Sequence, residues 1–191
     1  MRVGAWLFRQ RTWLPLPLGA AILLLPVNRQ LSPAVYWLVG AVLVAAGEGV
    51  RLWAVHHIGA ISRTRSDRLG PLIGTGPFSL VRNPLYLGNM ALWAGFAVSA
   101  RLVWLAPLVV AWLGFEYHAV VRWEEELLAA RLGEPYRAYA ARVPRWMPRH
   151  VVVEHGPSQP EHSWRETLFS ERGTLIAIAV GYLLLYVKNR V

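Results

Sequence analysis

The chain has 191 residues, 55% hydrophobic and only 16% charged, with a mean hydropathy of +0.33; a water-soluble domain of this length carries more charge, so the composition points to a bilayer. It contains no cysteine, which excludes disulfides, thiolate metal sites and cysteine nucleophiles. The net charge of +9 resides in 19 arginines and Lys188 that flank apolar runs, a pattern that orients membrane helices rather than one that binds nucleic acid.

A helix that crosses the hydrocarbon core needs about 20 mostly apolar residues, and five stretches approach this. The first is residues 13–27, with Trp13 and the Asn28–Arg29 pair at its interfaces. Arg2, Arg9 and Arg11 precede it, but no small-residue cleavage site follows, so it reads as a retained helix rather than a signal peptide. The second is residues 33–55, with Glu48 and Arg51 one helical turn apart near its end. The third is residues 84–99, opened by Pro84 at a helix start, where its missing N–H costs nothing. The fourth, residues 102–120, continues into a polar helix expected to stop at Gly133. Residues 150–165 form a helix-poor linker, and a fifth span over 174–187 lies in an extra C-terminal helix, residues 166–191. The fold expected is all-α: a polytopic membrane bundle of about five transmembrane helices with a cytoplasmic C-terminal motif helix. It forms a single domain, residues 1–191, with its motif core at 74–148.

Charge asymmetry orients this bundle. The N-terminal tail has three arginines, the segment after the second span has Arg63, Arg65, Arg68 and Arg82, and residues 122–172 hold eight. Those fifteen share one side, against Arg29, Arg101, Lys188 and Arg190 on the other. The positive-inside rule places the N-terminus and both long polar segments in the cytoplasm, and the short, arginine-rich chain suggests a bacterial inner membrane.

Two cytoplasmic segments carry the chemistry. In residues 74–88 a loop punctuated by glycine and proline presents Arg82 at the mouth of the third span. Glycines such as Gly76 and Gly88 permit close backbone approach to a ligand, and arginine offers a planar fork to a carboxylate; the plainer reading is an arginine that snorkels. In the second segment Glu124, Glu125 and Glu126 stand together amid basic residues. Arg122 lies three and four residues from Glu125 and Glu126, so the plainer reading is a salt-bridged solvated face. Glu116, eight residues before Glu124, is expected to share its face. His56 and His57 point about 100° apart on a helix, which disfavours a shared metal, and His118 reads as an interfacial side chain. No metal site is expected. Glu48 and Arg51 read as a buried pair facing the bundle interior, and ionisable groups inside a span count as site candidates.

Taken together the segments resemble the isoprenylcysteine carboxyl methyltransferase family and its relatives, the phospholipid N-methyltransferases. The resemblance rests on Gly76-Pro77, Val81-Arg82-Asn83-Pro84, Tyr86 and Gly88, then on Glu124-Glu125, Leu128, Gly133, Tyr136, Tyr139, Val143-Pro144 and Pro148. It implies transfer of a methyl group from S-adenosylmethionine, with Arg82, Glu124 and Glu125 as catalytic residues. Gly76, Asn83, Tyr86, Gly88, Tyr136 and Tyr139 join them around the cofactor. A lipophilic acceptor, either a prenylcysteine-like carboxylate or a phospholipid-like amine, would arrive from the bilayer. The family's usual histidine after the arginine is Asn83 here, which can hydrogen-bond but cannot carry a charge. Two other readings remain open: an NADPH-dependent sterol-type membrane reductase, which shares an Arg-x-Pro-x-Tyr-x-Gly run, and a non-enzymatic membrane module.

Overall fold

The computed structural model describes residues 2–10, 13–27, 32–59, 72–149 and 162–190, and among these every regular element is helical. In chain order they are α1 (Arg2–Gln10), α2 (Leu16–Leu24), α3 (Pro33–Ile58), a 3-10 turn (Gly76–Ser79), α4 (Pro84–Ser99), α5 (Leu105–Leu132), α6 (Glu134–Arg142) and α7 (Trp164–Arg190). Proline and glycine set many of the boundaries. Pro33 and Pro84 open α3 and α4, while α3 and α5 stop at Gly59 and Gly133, whose φ angles of 67° and 63° side chains disfavour. At the start of α7 the Ser163 hydroxyl accepts from the Glu166 N–H at 3.2 Å, and the Glu166 carboxylate accepts from the Ser163 N–H at 3.0 Å, a reciprocal cap.

Of the five expected spans, two coincide with helices of spanning length and composition. Among the described residues, two helices are long and apolar enough to cross a bilayer, α3 and residues Trp164–Asn189 of α7. α2 has nine residues, about 14 Å of helix, because Pro15 and Pro17 confine its start and Pro26 follows its end. α4 has 16 residues, about 24 Å, and α5 is apolar only in its first half. α7 starts at Trp164, ten residues before the apolar run. Its opening turns carry the polar residues Thr167, Ser170 and Glu171 on the inward face, and all three are buried. Large apolar side chains such as Leu38, Phe115, Ile176 and Leu183 lie exposed on the outer surface, as a lipid-facing surface requires.

Packing is closest between α3 and α4. A Cβ placed on Gly47 would come within 2.6 Å of the Gly88 carbonyl, and one on Gly40 within 2.6 Å of the Gly95 carbonyl. Small residues let membrane helices approach to backbone contact, where dispersion replaces the missing hydrophobic drive. The opposite side of α4 meets α5 through Ala97, Ala100, Val109, Leu113 and Tyr117. α1 lies on α5, with Gly4 against Ala119 and Trp123 and the Phe8 and Trp123 rings 4.9 Å apart. These contacts bring the start of α4 and the polar half of α5 to one end of the bundle, where the candidate site forms.

Candidate functional site

The site is assembled by a clasp between two segments distant in the chain. In the first, Gly76 adopts a φ of 57°, and the Ser79 hydroxyl donates to the Gly76 carbonyl at 2.7 Å. In the second, the chain leaves α6 and runs back across the loop. The Arg82 N–H donates to the Pro144 carbonyl at 2.9 Å, and the Arg149 N–H donates to the Leu80 carbonyl at 3.0 Å. The Asn83 amide donates to the Arg145 carbonyl at 3.2 Å, a contact spanning 62 residues. The Tyr139 hydroxyl donates to the Phe78 carbonyl at 2.7 Å. Backbone polar groups that are buried need partners, and here each segment satisfies the other.

The clasp carries a charge cluster. Arg82 Nη1 lies 3.0 Å from Glu125 Oε1, and Arg145 grips the same carboxylate with Nη2 at 2.6 Å and Nε at 3.1 Å. The Arg82 and Glu125 side chains are 14% and 12% exposed, so the expected exposed mouth for Arg82 is corrected: the tail covers it. Glu125 pairs with two arginines from other segments, whereas sequence spacing had matched it with Arg122. Two guanidiniums against one carboxylate leave a positive surplus, and Arg82 Nε is buried without a hydrogen-bond partner. Beside this triad the Tyr86 hydroxyl donates to Glu124, 3.0 and 3.1 Å from its two oxygens, and the Tyr86 ring packs on Tyr117 with centroids 4.6 Å apart.

Tyr136 and Tyr139 fill a small core with Val143, Leu128 and Leu132. Burial pushes the Tyr136 phenol up to about 12, the neighbouring Glu125 adds to the rise, and a hydrogen bond from Arg82 opposes it. Burial raises the Tyr139 phenol further, so both remain protonated across the neutral range. Hydrogen bonding to Glu125 holds Arg145 above its ordinary value. Both tyrosines therefore act as neutral hydrogen-bonding groups on the α6 side of the triad.

The structure thus brings together Arg82, Asn83, Tyr86, Glu124, Glu125, Tyr136 and Tyr139. It places the two glycines differently: a Cβ on Gly76 would strike the His57 ring, and one on Gly88 would strike the Arg51 side chain and the Gly47 carbonyl. Both are packing positions between helices. Glu116 is 3% exposed with neither carboxylate oxygen hydrogen-bonded, while Glu124 is partly exposed. Eight residues turn a helix about 80° past two full turns, so the expected common face is loose. His56 and His57 have separate partners, Thr167 at 3.2 Å and the Trp53 carbonyl at 2.9 Å, and among the described residues no cluster able to hold a metal occurs. Glu48 and Arg51 do pair, at 3.3 Å. Arg63, Arg65 and Arg68 lie outside the described residues.

Sequence reasoning missed Arg145 as a site residue, although it sits inside the motif tail. It also missed Trp146, whose indole N–H donates to His118 Nδ1 at 3.3 Å. The signal for Arg145 was its position one residue after Pro144, in a tail too rich in proline to continue as helix.

A surplus of guanidinium beside a carboxylate–phenol pair, walled by aromatic rings, suits a small zwitterion with an aromatic appendage. The sequence profile of a family described as phospholipid methyltransferase matches residues 35–134, just over half of the chain. The match runs from the first turn of α3 to the first residue of α6 and includes Arg82, Glu124 and Glu125. No curated protein and no solved structure matches the chain.

Proposed function

The chain belongs to the phospholipid methyltransferase family, a membrane methyltransferase on that footing, and we propose that it moves a methyl group from S-adenosylmethionine to a lipophilic acceptor arriving from the bilayer. The observation that carries this reading is the triad of Arg82, Glu125 and Arg145 standing beside Glu124 and Tyr86.

The residues present fit the cofactor. Its methionine end bears a carboxylate and an ammonium, and the triad carries one more positive charge than negative, with Arg82 Nε buried and unpartnered. Arg82 and Arg145 would take the carboxylate. Glu125 is committed to both guanidiniums, so Glu124 is the carboxylate we assign to the ammonium. Tyr86, Tyr136 and Tyr139 would wall the adenosine, and Asn83 holds the loop to the tail. When bound, the cofactor supplies an electrophilic methyl group on a sulfonium. The positive charge leaves sulfur along that displacement, so these residues would contribute by orienting the reactants and excluding water more than by acid–base work. A carboxylate acceptor needs no base, whereas an amine acceptor must first lose a proton. The arginine asymmetry favours a cytoplasmic site, where the soluble cofactor is available.

The test is binding of labelled S-adenosylmethionine against NADPH by the purified protein in lipid nanodiscs. Label transfer is then followed to phosphatidylethanolamine vesicles and to a prenylcysteine analogue. Saturable S-adenosylmethionine binding with transfer to one acceptor is the expected outcome. Binding of NADPH alone would replace this reading with the reductase, and binding of neither would leave a non-enzymatic module.

A further inference from the structure

All of α7 lies beyond the residues that match the family, yet polar side chains fasten it to α3 and α4. Arg51 of α3 is the hub. One terminal nitrogen, Nη2, lies 2.5 Å from Glu171 Oε2 and 3.2 Å from Thr174 Oγ1, both on α7. The other, Nη1, lies 2.5 Å from Asn89 Oδ1 on α4, and Nε faces Glu48 at 3.3 Å. The side chains of Arg51, Glu48 and Glu171 are 12%, 7% and 2% exposed. The arginine stem also fills the space over Gly88. Nearer the start of α7, Trp164 stacks on His56 with centroids 4.1 Å apart and planes 8° apart, and His56 contacts Thr167.

A buried ion pair is weak grounds for stability, because apolar side chains of similar volume hold helices at least as well. A planar guanidinium does something apolar packing does not: its fixed fork sets the relative positions of the groups it binds. Here it sets α7 against one turn of α4, the turn that carries Gly88 and Asn89. Three residues before Asn89, on a neighbouring part of the same helix surface, is Tyr86, bonded to Glu124. Any slide of α4 along α3 displaces that phenol from its carboxylate.

We infer that α7 is part of the methyl-transfer apparatus and that Arg51 is the positioning residue through which it acts, holding Asn89 so that Tyr86 stays in register with Glu124. The inference rests on the reading of Tyr86 and Glu124 as part of the cofactor site. Arg51 touches neither reactant in this scheme.

The test uses the full chain in nanodiscs, with S-adenosylmethionine affinity and melting temperature measured on the same samples. Asn89→Ala cuts the link to α4 and leaves every ion pair in place; its affinity falls about tenfold or more, the scale of one lost contact to a charged group, with little change in melting. The triple variant Glu48→Gln, Arg51→Met, Glu171→Leu removes all three charges. It melts near the wild type but also binds about tenfold more weakly. Wild-type affinity in Asn89→Ala, or in a stable triple variant, overturns the positioning role and leaves the pair a mere fastener. Absence of binding by the wild type overturns the reading of the site itself, and this inference with it.

Discussion

Arg82→Met is the perturbation that separates site from scaffold. The substitution keeps the length of the stem but deletes the 3.0 Å bridge to Glu125 and the hydrogen bond to Tyr136. Glu125 keeps its two-pronged contact with Arg145, so no carboxylate is stranded. The cost is therefore that of lost hydrogen bonds to charged groups, about 1.5–3 kcal/mol, and not the 3–5 kcal/mol of an orphaned buried charge. For a chain of this length about 2 kcal/mol lowers the melting temperature by roughly 4–8 °C. Affinity for S-adenosylmethionine should fall about tenfold to a hundredfold, since one of two carboxylate-binding forks is gone. Melting is followed by intrinsic fluorescence in nanodiscs, and affinity by equilibrium binding of labelled cofactor at a temperature where the variant is fully folded. A folded variant with wild-type affinity would remove Arg82 from the site, whatever its effect on melting.

Asn83→His should keep both fold and cofactor affinity, because a ring N–H can still reach the Arg145 carbonyl, whereas Asn83→Leu strips that bond. The leucine variant should lose about 1–3 kcal/mol; if its folded fraction transfers methyl groups at the normal rate, Asn83 is structural only. Tyr139→Phe removes the donor to the Phe78 carbonyl and should also cost about 1–3 kcal/mol by thermal melting. Because burial raises the Tyr136 phenol from 10.0 to about 12, its stabilising effect is full below pH 10 and is lost as pH rises towards 12. A Tyr136→Phe variant should show a shallower alkaline loss of stability. Gly47→Leu drives a side chain into the Gly88 carbonyl and should destabilise by at least the 1–3 kcal/mol typical of overpacking; an unchanged melting temperature would deny the close helix contact. Reporter fusions after Arg149 should lie opposite those after Ala100, and a matching report would remove the cytoplasmic cofactor supply.

The helices legible in the sequence were those bounded by proline and glycine. α4 runs over residues 84–99 as its apolar run and Pro84 indicate, and α5 stops before Gly133. α2 was overread because an apolar run does not reveal how far Pro15 and Pro17 shorten the helix within it. The start of α7 was underread because hydropathy discounts an inward polar face, and Thr167, Ser170 and Glu171 are buried polar residues. In the site, motif order revealed Arg82 and Glu125 as a set, but helix spacing assigned Glu125 the wrong partner. That partnership depends on the tail folding back over 20 residues from Arg145, which no local periodicity encodes. The contact of Arg51 with Glu171 spans 120 residues and is likewise a property of the folded bundle.

The clasp between loop and tail also dictates an order of manufacture. Asn83 and Arg145 are separated by 62 residues, which a ribosome adding about 5–20 residues per second takes on the order of 3–12 s to produce. The Arg82 side chain gains the Glu125 carboxylate only about two-thirds of the way through that interval, and its N–H waits until the end for the Pro144 carbonyl. The triad begun in the first-made half stays open until the second arrives. A nascent chain stopped before Pro144 would carry most of the helices of the bundle and still lack the closed triad.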